Sequence, residues 1–183
     1  MKKLLVIDGN SILNRAFYGV RPLSTKDGVP TNAVFGFVNI INRNIELVRP
    51  DYCAVAFDVH APTFRHNMFD GYKAGRKPMP EELAAQFPYA KQSLTVLGLT
   101  CVELPGYEAD DLLGTFAKMA NGQGIEAYIL TGDRDSLQLI GDGTTVLLAT
   151  NNESVKFDRA AFVEKYGVQP EQFVDVKSLM GDS

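Results

Sequence analysis

Eight carboxylates in this chain stand where chemistry could use them, and most arrive as an apolar strand pattern stops. Leu4-Leu5-Val6-Ile7 runs into Asp8, and Cys53-Ala54-Val55-Ala56-Phe57 runs into Asp58. Ala127-Tyr128-Ile129-Leu130-Thr131-Gly132 leads to Asp133-Arg134-Asp135. Gly106-Tyr107-Glu108-Ala109-Asp110-Asp111 opens a helical pattern just beyond another apolar stretch, and Gly181-Asp182-Ser183 is the last motif. Acids gathered at one edge repel one another strongly unless cations sit between them. Oxygen donors without His or Cys nearby suit Mg²⁺ or Mn²⁺ better than zinc, and His60 and His66 lie outside the acidic motifs. Two such ions roughly 4 Å apart can bind the attacking and leaving oxygens of a phosphoryl displacement. Phosphodiester hydrolysis needs no Ser, Cys or His nucleophile by that route, and no motif supplies one.

Each acid also has a structural reading. An Asp after a strand commonly caps a helix or holds a turn. Glu108, Asp110 and Asp111 could complement a helix dipole in its first turn. Asp133-Arg134-Asp135 could form a self-compensating exposed turn, and Asp182 could cap a following helix. Repetition at strand ends is what favours a shared site. Rival phosphate chemistries lack their signatures. An aspartyl phosphatase wants Asp-x-Asp after its first strand, where this chain has Asp8-Gly9-Asn10. The Gly-x-Gly-x-x-Gly dinucleotide loop and the Walker-type loop are both absent.

The elements that must position these acids alternate between strand and helix. Strand patterns end at Asp8 and Asp58, run over Thr100–Leu104 and Glu126–Leu130, and pair as a hairpin over 144–149 and 154–157 around Asn151-Asn152. Helical spacing covers Ser11–Tyr18, Thr31–Val48, Glu81–Leu97 with a break at Pro88, Ala109–Ala120, Asp158–Tyr166 and Pro170–Met180. Apolar strands without alternating polar residues imply a parallel sheet covered on both faces. The expected fold is therefore α/β, a mostly parallel central sheet flanked by helices, forming a single catalytic core over 1–183. In such sheets ligands bind outside the carboxyl ends of the strands.

With 183 residues and 45% hydrophobic content the chain can bury one sizeable core. It contains no apolar run long enough to span a membrane, so no membrane partner is expected. Only Cys53 and Cys101 are present, which argues against a disulfide framework and fits a reducing cytoplasm. A formal net charge of −4 looks unfavourable for binding nucleic acid, but two divalent cations would bring it to about zero. Local charge also differs. From Thr63 to Lys77, Arg65, Lys73, Arg76 and Lys77 face a single Asp70, interleaved with Phe64, Phe69 and Tyr72. That composition suits backbone phosphates and unpaired bases. The segment 61–80 offers little to bury, so it is expected to be a mobile, basic, arch-like element.

Taken together, Val6-Ile7-Asp8-Gly9-Asn10, Ala33-Val34-Phe35-Gly36-Phe37, Gly71-Tyr72-Lys73-Ala74-Gly75-Arg76, Gly106-Tyr107-Glu108-Ala109-Asp110-Asp111 and Thr131-Gly132-Asp133-Arg134-Asp135 resemble the amino-terminal 5′-nuclease domain of bacterial DNA polymerase I, within the flap endonuclease superfamily. The resemblance runs through essentially the whole chain. It implies a PIN-like nuclease core that removes 5′ ends or 5′ flaps from DNA in replication and repair, using two Mg²⁺ or Mn²⁺ ions. It implies that Asp8, Asp58, Glu108, Asp110 and Asp111 serve one metal region and Asp133, Asp135 and Asp182 the adjoining one. Arg15 matches a phosphate-contacting Arg, Lys73 and Arg76 the catalytic basic residues over the scissile phosphate, and Tyr72 an aromatic that stacks on a base. In the family, the Gly-Asp-Ser region continues into a further metal-ligating Asp and a helix-hairpin that grips the duplex. The expectation is thus a monomeric fragment of a longer chain carrying a polymerase. Two alternatives stand beside it: a catalytically weak or inactive DNA-junction-binding fragment, and a PIN-type ribonuclease, against which the Tyr-Lys-Ala-Gly-Arg string and the number of acids argue.

Overall fold

Strands whose residues must be buried on both faces can pair only inside a layered sheet. In the computed structural model, which describes residues 1–59, 61–69, 71–73, 75, 78–150 and 153–180, six such strands form. They are β1 (Lys3–Asp8), β2 (Tyr52–Ala56), β3 (Thr100–Val102), β4 (Glu126–Thr131), β5 (Thr144–Ala149) and β6 (Ser154–Phe157). Their spatial order is β3-β2-β1-β4-β5-β6. The first five run parallel, and β6 returns antiparallel on β5 with Val146 opposite Phe157. Along β1, Leu5 and Ile7 enter one core while Val6 enters the other.

Helices α1 (Gly9–Gly19), α2 (Asn32–Val48), α4 (Glu81–Ala84) and α5 (Phe87–Val96) cover the first face. Helices α6 (Ala109–Asn121), α7 (Arg159–Tyr166) and α8 (Phe173–Met180), with the 3-10 turn Arg134–Leu139, cover the second. The short helix α3 (Phe64–Met68) buries none of its residues. Burying an aliphatic or aromatic side chain such as Phe37, Phe57 or Phe162 is worth about 1.5–3 kcal/mol, so the two cores supply the main driving force. Among the described residues no helix is long and apolar enough to cross a membrane, and Cys53 and Cys101 are both free thiols.

The expected break in the long helical pattern is present. The helical pattern over Glu81–Leu97 is interrupted at Ala85-Gln86, and Pro88 sits in the first turn of α5, where a missing N–H costs nothing. Gln86 occupies the interruption. Its buried Oε1 accepts from the N–H of Ala33 (2.8 Å) and Val34 (3.2 Å), satisfying the first turn of α2. Its Nε2 donates to Asn32 Oδ1 at 3.1 Å and to the Glu82 carbonyl at 3.0 Å. The break thus falls where the Pro88 ring would meet the turn that ends at Ala84, and the helix–helix contact of Gln86 occupies it.

Candidate active site

Parallel pairing brings the carboxyl ends of β1, β2 and β4 to one edge, and with them Asp8, Asp58 and Asp133. Asp8 closes β1 and caps α1. Its Oδ1 accepts from Ser11 N at 2.9 Å and its Oδ2 from Thr131 Oγ1 at 2.9 Å. The turn between them needs a glycine, because a Cβ on Gly9 would lie 2.5 Å from the buried Phe57 ring. Asn10 Oδ1 accepts from Asp58 N at 2.9 Å, tying the two strand ends together. Asp58 in turn accepts from Ala109 N at 2.7 Å, so the β2 carboxylate meets an unpaired amide at the start of α6. The first turn of α6 adds Glu108, Asp110 and Asp111 to the same edge.

The edge is electrostatically frustrated. Burial pushes the Asp8 carboxyl up to about 7, and Asp110 and Asp58 add to the rise against its hydrogen bonds from Ser11 and Thr131. Asp110 keeps a solvent-facing surface, yet the protein atoms around its carboxyl desolvate it, and Asp133, Asp58 and Glu108 push the same way, to about 6. Glu108 and Asp111 go the other way. Burial works to raise Glu108, but Lys73, Tyr72 and Arg65 outweigh it and hold it low. Arg65 is the main cause of the lowered Asp111 value.

Those partners come from the segment after β2. Arg65 makes a bidentate pair with Asp111, at 2.8 Å from Nη1 and 2.7 Å from Nη2. Lys73 Nζ donates to Glu108 Oε1 at 2.7 Å, and Tyr72 OH donates to Oε2 at 3.0 Å. Lys73 takes a left-handed backbone, φ 59°, which costs a non-glycine residue about 1–2 kcal/mol. Phe64 N also donates to the Gly106 carbonyl at 3.1 Å.

Of the residues singled out by sequence, Asp8, Asp58, Glu108, Asp110 and Asp133 therefore face one another. Asp111 lies beside them but is occupied by Arg65. Asp135 makes a 2.9 Å ion pair with Lys177 of α8. Arg15 flanks the edge, its Nε 3.1 Å from where a Cβ on Gly132 would stand. Arg76 and Asp182 lie outside the described residues, as do Asp70 and Lys77. Sequence reasoning missed Thr131 and Asn10 as supports and gave Arg65 no specific partner. Asn10 was visible in the Asp-Gly-Asn string, whereas the Arg65–Asp111 pair spans 46 residues and left no local signal.

The donor set suits hard divalent cations: carboxylate oxygens, two of them resisting ionisation when no cation is near. Among the described residues, no three His, Cys, Asp or Glu side chains are disposed to hold an ion as they stand. Glu108 and Asp111 instead have Lys73 and Arg65 as counterions.

Stability should register this frustration. A carboxyl harder to ionise in the folded chain than in the unfolded one opposes folding as pH rises from its ordinary value through its folded value. For Asp8 that window runs from about pH 4 to about 7, and the loss approaches about 4 kcal/mol at its upper end. Glu108 and Asp111, held low, contribute stability that disappears only as pH falls below about 4. Thermal melts in EDTA should thus show Tm falling by at least about 5 °C between pH 5 and pH 8. Mg²⁺ should restore it at pH 8, and Asp8→Asn should flatten the profile. A Tm that climbs with pH in EDTA would contradict this balance.

Comparison with known proteins gives the family and the fold. A family model described as the 5′-3′ exonuclease, N-terminal resolvase-like domain matches residues 3–167. The chain belongs to that family. DNA polymerase I of Bacillus subtilis is 45% identical over 184 residues, covering 100% of this chain and 21% of that protein. DNA polymerase I of Caldicellulosiruptor bescii is 42% identical over 188 residues, covering 98% and 22% respectively. The chain thus spans about a fifth of the length of the curated relatives it matches. Among solved structures, T5 5′-exonuclease with bound divalent metal ions (zinc) superposes with a TM-score of 0.73 at 20% identity, over 99% of this chain and 67% of that one. The catalytic core of Rad2 in complex with DNA substrate gives 0.57 at 16% identity, over 99% and 55%. These structural likenesses share the mostly parallel α/β fold described above.

Proposed function

We propose that this domain hydrolyses DNA phosphodiesters at 5′ ends or 5′ flaps, acting as a monomeric unit of a longer cytoplasmic chain that carries a polymerase. The observation that carries this reading is the gathering of Asp8, Asp58, Glu108, Asp110 and Asp133 at one sheet edge, where Asp8 and Asp110 resist ionisation. Structure alone gains nothing from that repulsion, and cations relieve it. Relatives named DNA polymerase I, and a fold shared with nucleases bound to DNA or to divalent metals, support the same reading.

Asp8, Asp58, Glu108, Asp110 and Asp111 would hold one Mg²⁺ or Mn²⁺ ion, and Asp133, Asp135 and Asp182 a second. When bound, such cations supply the positive charge that makes a water acidic enough to attack phosphorus and that receives the leaving oxygen. The chain's own part is positioning. Thr131 and Ser11 fix Asp8, Asn10 fixes the backbone of Asp58, and Arg15 flanks the edge where a phosphate would enter.

In this proposal the described part of the segment after β2, with α3 and Lys73, is the mobile arch; residues 70, 74, 76 and 77 of the expected 61–80 range lie outside the described residues. Helix α3 buries nothing, and this segment is tied to α6 through the Arg65–Asp111 and Lys73–Glu108 ion pairs, whose cationic ends are partly exposed. Incoming phosphates would compete for Lys73, Arg76 and Arg65. Lys73 leaving Glu108 would free a carboxylate for a cation at the moment it acquires a phosphate. Tyr72, released from the same Glu108, would offer its ring face to a base.

The test is cleavage of a labelled 5′-flap duplex with Mg²⁺, with Mn²⁺ and with EDTA, beside a single-stranded RNA of the same sequence. Divalent-dependent release of the 5′ flap is expected. RNA cleaved in preference to the flap would favour a PIN-type ribonuclease, and binding without cleavage in either metal would favour a junction-binding fragment.

A further inference from the structure

A second cleft lies on the α1/α2 face, away from the carboxylates. It encloses about 130 Å³, several times the ~30 Å³ share of a liquid water, which is room for a phosphodiester group. Its α2 wall is the stripe Gly36, Asn39, Ile40 and Arg43, spaced as one helical face; its α1 wall centres on Arg15 and Ala16. Gly36 makes the cleft possible by letting the helices approach closely, since a Cβ there would lie 2.8 Å from both Ala16 Cβ and Val20 Cγ2.

The lining chemistry is selective. In a chain with 22 acidic and 18 basic residues, the described residues that line this cleft include two arginines, Asn39 and Thr150 and no acid. Arg15 and Arg43 each already interact within the chain, but a guanidinium carries five N–H donors and can share them with an anion. The remaining described lining residues are Ala, Gly, Val and Ile, with no aromatic face among them on which a base could stack. Such a lining reads a backbone rather than a sequence.

Its position is equally informative. Thr150 follows directly after β5, at the same sheet edge as Gly132, and Arg15 stands beside Gly132. From there the cleft runs along α2 to Arg43, seven residues beyond Gly36, or roughly 10 Å of helix. We infer that the α1/α2 cleft is a second binding site for a DNA backbone phosphate, with Arg43 and Asn39 gripping the strand further along α2 and Arg15 linking that place to the carboxylate edge. This rests on the nuclease reading only for the identity of the polyanion. Its role is to hold and orient the strand whose phosphodiester reaches the carboxylates.

The experiment is fluorescence-anisotropy titration of a labelled 5′-flap duplex in EDTA, between about 50 and 200 mM KCl. Arg43→Ala should lower the slope of log affinity against log salt by about 0.7–0.9, one phosphate's share, and weaken binding about tenfold at moderate salt. Arg43→Lys should keep the slope and lose part of the affinity, because a point charge replaces a planar fork. Lys118→Ala removes the same charge from exposed α6 and should change neither quantity. Arg43 is exposed on a helix that alanine favours, so folding is checked by circular dichroism and is expected to be intact. Wild-type slope and affinity in Arg43→Ala, or an equal loss in Lys118→Ala, would overturn the inference. A wild type that binds the flap but never cleaves it would remove the nuclease reading while the slope still decides the cleft. A wild type that does not bind flap DNA would remove both.

Discussion

Asp110→Asn is expected to lower cleavage of a 5′-flap substrate by at least about a thousandfold, while leaving DNA affinity within about twofold. Changing groups that merely orient a metal ligand costs about 10–100-fold in affinity or activity, and Asp110 is proposed to be a ligand itself. Asparagine keeps the shape but removes a charge from the centre of the repulsive group, where Asp133, Asp58 and Glu108 all bear on it. Two measurements separate the effects. In EDTA the variant should melt above wild type, because the repulsion is relieved. In Mg²⁺ it should gain less stability than wild type, because a ligand is gone. Wild-type turnover by Asp110→Asn at low Mg²⁺ would take Asp110 out of the site.

Lys73→Ala should slow the chemical step by about 10²–10³-fold and weaken binding much less, since a cation beside the scissile phosphate meets charge that builds in the transition state. Single-turnover cleavage at saturating protein isolates that step. Arg65→Ala is the contrast. Its guanidinium is committed to Asp111 in the absence of DNA, so its loss should appear mainly in binding. The two variants also differ in what they release. Lys73→Ala leaves the buried Glu108 without its closest cation and should raise its proton affinity, because burial then acts with less opposition. The acid limb of the kcat/KM profile, which reports the DNA-free protein, should move upward in Lys73→Ala. A single-turnover rate equal to wild type would reduce Lys73 to a capture residue.

The strand-end acids were legible because two local signals coincide. An apolar run of five or six residues fixes a buried parallel strand, and the residue where it stops must lie at a sheet edge. Leu4 to Asp8 and Ala127 to Thr131 behave in this way. Where only a long-range contact decides, the pattern was silent or misleading. The break before α5 was legible from Pro88, but nothing local showed that Gln86 uses it to reach back to α2, more than 50 residues earlier. Asp111 and Asp135 looked equivalent to their neighbours, yet Arg65 occupies one and Lys177 the other.

By itself, then, the sequence determined the α/β layering, the strand ends that carry Asp8, Asp58 and Asp133, and the helix start that carries Glu108, Asp110 and Asp111. These follow from hydrophobic periodicity and helix-start chemistry, which act over one or two turns or one strand. Only the tertiary structure decided which of the acids confront one another, which are neutralised by cations from elsewhere in the chain, and that α1 and α2 approach closely enough at Gly36 to frame a cationic cleft. Those outcomes depend on distances between side chains that are remote in sequence, and on the desolvation that follows from their burial together. No local pattern encodes either one.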